Sequence, residues 1–258
     1  MDNDLLTQKP KTTSQEMKKL SYFQAFAKSW KEGFQTIDFS VKIILTLGIL
    51  IIGATQFPSY LNHIQKRPGA ALEDLVLNAL PSIDVSVPIF TVLYSILIFS
   101  LIQSLKKAEV FLLYAITYVC VTIFRMVTIT LVPLDAPVGL INLADPFAEA
   151  AVYGTASPVT KDLFFSGHTA TMVLIWIIVE GRIAKILAGI ACILIAFFLL
   201  LQHVHYTADV IAAFAFTVAS YELAKVIKQW HWIPFSAVML TLFALLLTVF
   251  RHAAIMYP

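Results

Sequence analysis

An all-α, polytopic membrane domain is what this sequence predicts, and two observations carry the prediction. Hydrophobic residues make up 59% of the chain and charged residues 13%, an imbalance that soluble domains do not show. Seven apolar stretches reach or approach the roughly 20 residues a helix needs to cross a bilayer. They run at about 41–57, 87–105, 110–133, 164–179, 183–202, 207–227 and 234–254. The first and fourth are short, so their ends borrow flanking residues or lie at the interface. Spans this closely spaced leave no room for a separate soluble domain. The chain therefore divides into a tail, 1–40, and one transmembrane domain, 41–258.

Basic residues set the expected orientation. Lys9, Lys11, Lys18, Lys19, Lys28 and Lys31 precede the first span, which puts the N-terminus in the cytoplasm. Alternation then places Lys106, Lys107, Arg182, Lys185, Lys225 and Lys228 on that same side, against Lys66, Arg67, Lys161 and Arg251 on the other. In the tail, no apolar core stands between a basic start and a cleavage site, so no signal peptide is expected. Met17 to Ile37 spaces Phe23, Phe26, Ala27, Trp30 and Phe34 at helical intervals with lysines between, which suits an amphipathic helix on the cytoplasmic leaflet. Cys120 and Cys192 both sit inside apolar spans and read as packing residues.

Two polar patches interrupt this apolar chain, Ser166-Gly167-His168-Thr169 and His205-Tyr206-Thr207-Ala208-Asp209. Ionisable groups beside membrane spans are costly unless something uses them. The interval between the histidines holds two crossings with a turn at Glu180-Gly181-Arg182, so both patches return to one face, the one opposite the cytoplasm. His205 and Asp209 are i and i+4; on a helix they share a face, where the carboxylate can fix the imidazole tautomer. His203 points elsewhere and takes no catalytic role. Ser166-Gly167 opens a helix, whose N-terminal amides suit phosphate, and Gly167 permits close approach. Other readings stand beside this one. A histidine can be an interfacial anchor and Ser-Gly a plain cap. Two histidines and an aspartate can also hold a metal, although no further ligand lies at an obvious spacing.

At these residues the chain resembles the sphingomyelin synthase family, a branch of the type 2 phosphatidic acid phosphatase superfamily. Asp162, three residues, then Ser166-Gly167-His168-Thr169 match that family's D-x3-S-G-H-T, with Thr160-Lys161 in place of its leading Cys-Gly. His205-Tyr206-Thr207-Ala208-Asp209-Val210 matches its H-Y-[ST]-x-D-V, and Phe214 and Thr217 follow as the family favours. Leu80-Pro81-Ser82-Ile83-Asp84 looks like a degraded form of its first-loop motif, and Arg125 is similar to its third-helix arginine, with different spacing around it. The resemblance covers roughly the second to sixth spans. It implies a six-helix phosphatase/phosphotransferase core, so the C-terminal seventh span is a departure; no protein-interaction domain is expected before the spans, unlike in some animal members. The lipid phosphatases carry K-x6-R-P, P-S-G-H and S-R-x5-H-x3-D. Here Phe165 replaces the proline, Phe198-Leu199 replaces Ser-Arg, and K-x6-R-P is absent.

The resemblance implies a membrane lipid phosphotransferase that moves a phospho-head group from a glycerophospholipid to ceramide or a similar lipid alcohol. His205 is then the nucleophile, Asp209 its orienting partner and His168 the general acid and base. Ser166, Gly167, Arg125 and Tyr206 bind substrate. No metal or cofactor is implied, and the partners are the two lipids and the bilayer, with no nucleic acid. A hydrolase using the same residues, and a non-catalytic lipid carrier, are the competing classes. The loops 58–86 and 134–163, with Asp135, Asp145 and Glu149, are where lipid choice is expected to lie.

Overall fold

The computed structural model describes residues 21–144 and 159–256. Asp145, Glu149, the lysines at 9, 11, 18 and 19 and the start of the amphipathic segment at 17–20 lie outside the described residues. The described chain is all-helical, with a single isolated parallel bridge between Ala70 and Leu134. Helix α1 is Tyr22–Phe34, α2 Ile37–Lys66, α3 Leu75–Ala79, α4 Ser86–Leu105 and α5 Ala108–Leu131. After the second long loop come α6 Gly167–Ile178, α7 Arg182–Leu201, α8 Thr207–Gln229 and α9 Trp232–Met256.

Six of these helices, α2, α4, α5, α7, α8 and α9, are long and apolar enough to cross a membrane. The protein is an integral membrane protein. Two spans differ from the sequence reading. The first runs for 30 residues, because the helix continues through Pro58 and buries Tyr60, Leu61 and Ile64 beyond it; the loss of one backbone hydrogen bond at proline is outweighed by that packing. It also starts at Ile37, capped by Thr36 Oγ1 accepting from Phe39 N–H, four residues before the boundary expected at 41. The fourth span is the opposite case: α6 has only 12 residues.

Helix α5 is the hub. Of its most apolar stretch 56% is buried inside the protein, against 22–33% for the other long helices, and it packs on α1, α2, α4, α6, α8 and α9. The seventh span, α9, lies along α2 and α5. Helix α1 docks where α4 ends and α5 begins, away from the two polar patches. Trp30 Nε1–H donates to Leu105 O (2.7 Å) and Tyr22 Oη–H to Ile102 O (2.6 Å), while Phe23 on its other face is exposed. Helices α6 and α7 form the expected hairpin. Gly181 turns it with φ +96°, a backbone conformation that side chains resist.

Candidate active site

The second patch is built around the carboxylate of Asp209, which has no exposed surface. Asp209 sits in the first turn of α8, where backbone N–H groups lack helical partners. Its Oδ2 accepts from Tyr206 N–H (3.0 Å), the return half of a capping box. The same Oδ2 lies 3.1 Å from His205 Nδ1. His205 therefore reaches its partner from outside the helix: α8 begins at Thr207, and the cap, rather than a shared helical face, brings the i and i+4 side chains together. With Nδ1 donating to the carboxylate, Nε2 carries the lone pair.

Asp209 also holds the first patch. Its Oδ1 accepts from Phe164 N–H (2.9 Å) and its carbonyl from Ser166 N–H (3.3 Å). Phe164 pays for this with φ +81°, a region that a non-glycine residue enters only when its surroundings impose it. Phe165 follows, fully buried and stacked on Phe216 at 5.3 Å. Ser166 then caps α6, its Oγ accepting from Thr169 N–H (3.3 Å). His168 stands in the first turn, half-buried, with its ring in a T-shaped contact with that of Phe90 of α4 (5.9 Å, 66°).

Arg125 comes up from α5 beneath this turn. Its Nε donates to Phe165 O (3.0 Å), and its Nη2 makes an ion pair with Asp162. The guanidinium fills the space over Gly167, where an added Cβ would meet Arg125 Cζ at 2.7 Å. The residue at 167 must thus be glycine to admit this arginine, a different reason from the ligand approach read in the sequence. Asp162, a motif position, is the arginine's anchor.

Loops from 67–85 and 132–144 are stitched to the turn that carries His205. Leu72 N–H donates to Tyr206 Oη (3.2 Å), which donates to Asp135 O (3.1 Å); the Tyr206 side chain is buried among these loops. Lys161 Nζ donates to Arg67 O (2.6 Å) and pairs with Asp135 (2.8 Å). Gln202, fully buried, accepts from Val85 N–H (3.0 Å) and donates to Ser86 Oγ (2.8 Å) and Asn142 O (3.2 Å). His203, with φ +56°, sets its ring nitrogens against Val138 O (2.9 Å) and Leu80 O (3.2 Å). Asp84 of the degraded loop motif stands just before α4, where the N–H and hydroxyl of Ser86 donate to its carboxylate and hold it below the usual carboxylate range.

The structure thus brings together His205, Asp209, Ser166, Gly167 and Arg125, with His168 in the first turn of α6. Sequence reasoning missed Gln202 and the anchoring roles of Asp162 and Tyr206. Gln202 had a signal: a neutral polar residue at the end of a 20-residue apolar helix.

No curated protein matches this chain. A family model does: residues 161–226, the stretch that holds both patches and the hairpin between them, are similar to the C-terminal region of the PAP2 superfamily.

Proposed function

We propose that the chain is a membrane lipid phosphotransferase working through a phosphohistidine, with residues 41–258 as its catalytic domain. One observation carries the reading: a single buried carboxylate, Asp209, fixes His205 and the Ser166-Gly167-His168 turn together. Family similarity over 161–226 supports chemistry on phosphate esters, and the resemblance at both motifs supports transfer to ceramide or a similar lipid alcohol.

In this reaction His205 Nε2 attacks phosphorus and forms a P–N bond, while the bond from phosphorus to the diacylglycerol oxygen breaks. Asp209 stabilises the imidazolium that results. His168, protonated, gives its proton to the leaving oxygen; neutral His168 then takes the proton of the acceptor hydroxyl, whose oxygen attacks phosphorus and releases His205. Amides of the α6 first turn bear on the phosphoryl oxygens. Arg125 acts from below by holding that turn, and Tyr206 by holding the loops. The excess of basic residues at the end bearing Lys106, Lys107, Arg182 and Lys185 supports a cytoplasmic N-terminus and a site on the opposite side.

The PAP2 match also favours a second reading, in which water replaces the lipid alcohol in the last step. Purified protein given head-group-labelled phospholipid separates them. Labelled lipid formed only when ceramide is present supports transfer, whereas soluble label without ceramide establishes the hydrolase. H205A should be inactive in either case, and retained turnover would overturn the assignment of the nucleophile.

A further inference from the structure

Asp74 belongs to none of the motifs, yet it is tied to the turn that carries His205. It lies in the loop after α2, directly before the five-residue helix α3. Its Oδ1 accepts from Val76 N–H (3.0 Å) and Leu77 N–H (3.2 Å), capping α3. Across the molecule its Oδ2 accepts from Thr207 N–H (2.6 Å) and its Oδ1 from Thr207 Oγ1–H (3.0 Å). Thr207 is the first residue of α8, and its N–H is one of the donors that a helix start leaves without a partner. All four partners of Asp74 donate, so the carboxylate form is the one that satisfies them together.

A second tie lies beside the first. Leu72 N–H donates to Tyr206 Oη, so residues 72 and 74 of the loop hold residues 206 and 207 of the turn. His205 is the next residue back along the chain. Its ring is fixed by Asp209, while the backbone from which that ring projects is fixed from the other side by the loop.

We infer that Asp74 is a positioning residue for His205, acting through Thr207 to set where the imidazole of the nucleophile stands. This rests on the reading of His205 as nucleophile. Without Asp74 the N–H and hydroxyl of Thr207 lose their acceptor and the turn can tilt, and misplacing a reacting group by about 1 Å costs about a hundredfold in rate. Every hydrogen bond recorded for Asp74 goes to α3 or to Thr207, so as a positioning residue its effect is expected on turnover rather than on substrate binding. Asparagine in its place keeps one acceptor oxygen but puts a donor where the other stood, and so restores part of the tie.

The test uses the full chain, purified into vesicles of mixed phosphatidylcholine, phosphatidylethanolamine and phosphatidylinositol, with a fluorescent short-chain ceramide as acceptor. kcat, KM and Tm are measured for wild type, D74A, D74N, T207V and H205A. The inference expects kcat of D74A to fall about ten- to a hundredfold per folded molecule, with KM within about twofold, and D74N to lie between D74A and wild type. Should D74A fail to fold, T207V carries the test, since it removes only the hydroxyl bond to Asp74; a lower kcat at unchanged Tm supports the inference. Wild-type kcat in T207V together with wild-type kcat in D74N or D74A overturns it. H205A keeps the two readings apart. An active H205A removes the nucleophile assignment itself, whereas an inactive H205A beside fully active Asp74 and Thr207 variants removes only the positioning role.

Discussion

The carboxylate of Asp209 lies 3.1 Å from His205 Nδ1 while its other oxygen accepts from Phe164 N–H at 2.9 Å, so one side chain joins two segments that the α6–α7 hairpin separates in sequence. D209N keeps the shape but places an amide where the carboxylate oxygens accept. The imidazolium loses its counter-charge and the ring its tautomer. Turnover should fall about 10²–10⁴-fold, with KM for phospholipid changed far less, as initial rates at varied phospholipid would show.

Arg125 and Asp162 form a part-buried pair, with side chains 13% and 22% exposed. Removing one partner leaves the other charge stranded. R125M or D162N alone should therefore destabilise the protein by about 2–4 kcal/mol, toward the lower end of values for buried pairs. The double variant should lose less than the sum of the two. Thermal unfolding in detergent measures all three, and strict additivity would show that the pair is not energetically coupled.

Gly167→Ala sets a methyl group against the Arg125 guanidinium. The arginine is the flexible partner and is expected to yield, losing its bond to Phe165 O and its ion pair. We expect a large loss of activity and a loss of stability comparable to that of R125M, about 2–4 kcal/mol. In an R125A background the obstruction is gone, and adding G167A should change the remaining activity by less than about twofold. Steady-state rates of the four proteins decide it.

The tie between Asp74 and Thr207 should also appear in the pH dependence of stability. Burial pushes the Asp74 carboxyl up, but the N–H and hydroxyl of Thr207 and the amides of Leu77 and Val76 outweigh it and hold the group below the usual carboxylate range. A carboxyl with a lower folded pKa stabilises the fold above its unfolded pKa, and that stabilisation is lost as pH falls through the folded value. Wild type should therefore lose Tm on acidification below about pH 4 more steeply than D74N. Asp135 and Asp209, which with Asp74 bear on the Tyr206 phenol, remain in both proteins, so the difference between the two curves isolates Asp74. Parallel curves would count against it.

Much of the architecture was legible because hydrophobic length is a local property. Spans at 87–105, 183–202, 207–227 and 234–254 became α4, α7, α8 and α9 with ends shifted by a few residues. Pro58 hid the last nine residues of α2, 58–66, because a proline reads as a stop unless the packing of Tyr60 and Ile64 is known. Within the site, the i, i+4 relation of His205 and Asp209 was legible as a contact but not as a cap, since the helix start at Thr207 depends on partners such as Asp74. Those partners were invisible for a common reason. Asp74, Asp162 and Gln202 act through bonds to Thr207, Arg125 and Ser86, each far away in sequence; a polar residue ending an apolar helix marks Gln202 as unusual, but no local pattern names the partner of a long-range hydrogen bond.

The shortness of α6 has a consequence for where the chemistry takes place. Twelve residues rise about 18 Å, whereas the 20 of α7 rise about 30 Å, the thickness of a bilayer's hydrocarbon core. Both helices start from the same three-residue reversal, and after α7 the chain folds back, with Val204 N–H donating to Leu199 O. The Ser166-Gly167-His168 turn is consequently sunk on the order of 10 Å beneath the far end of α7. With α7 crossing the hydrocarbon core, the proposed reaction predicts that a donor lipid lowers its phosphate from the head-group plane toward the level of the acyl chains. The thickness of the surrounding bilayer thereby becomes a variable of the rate, and a thinner membrane shortens the descent.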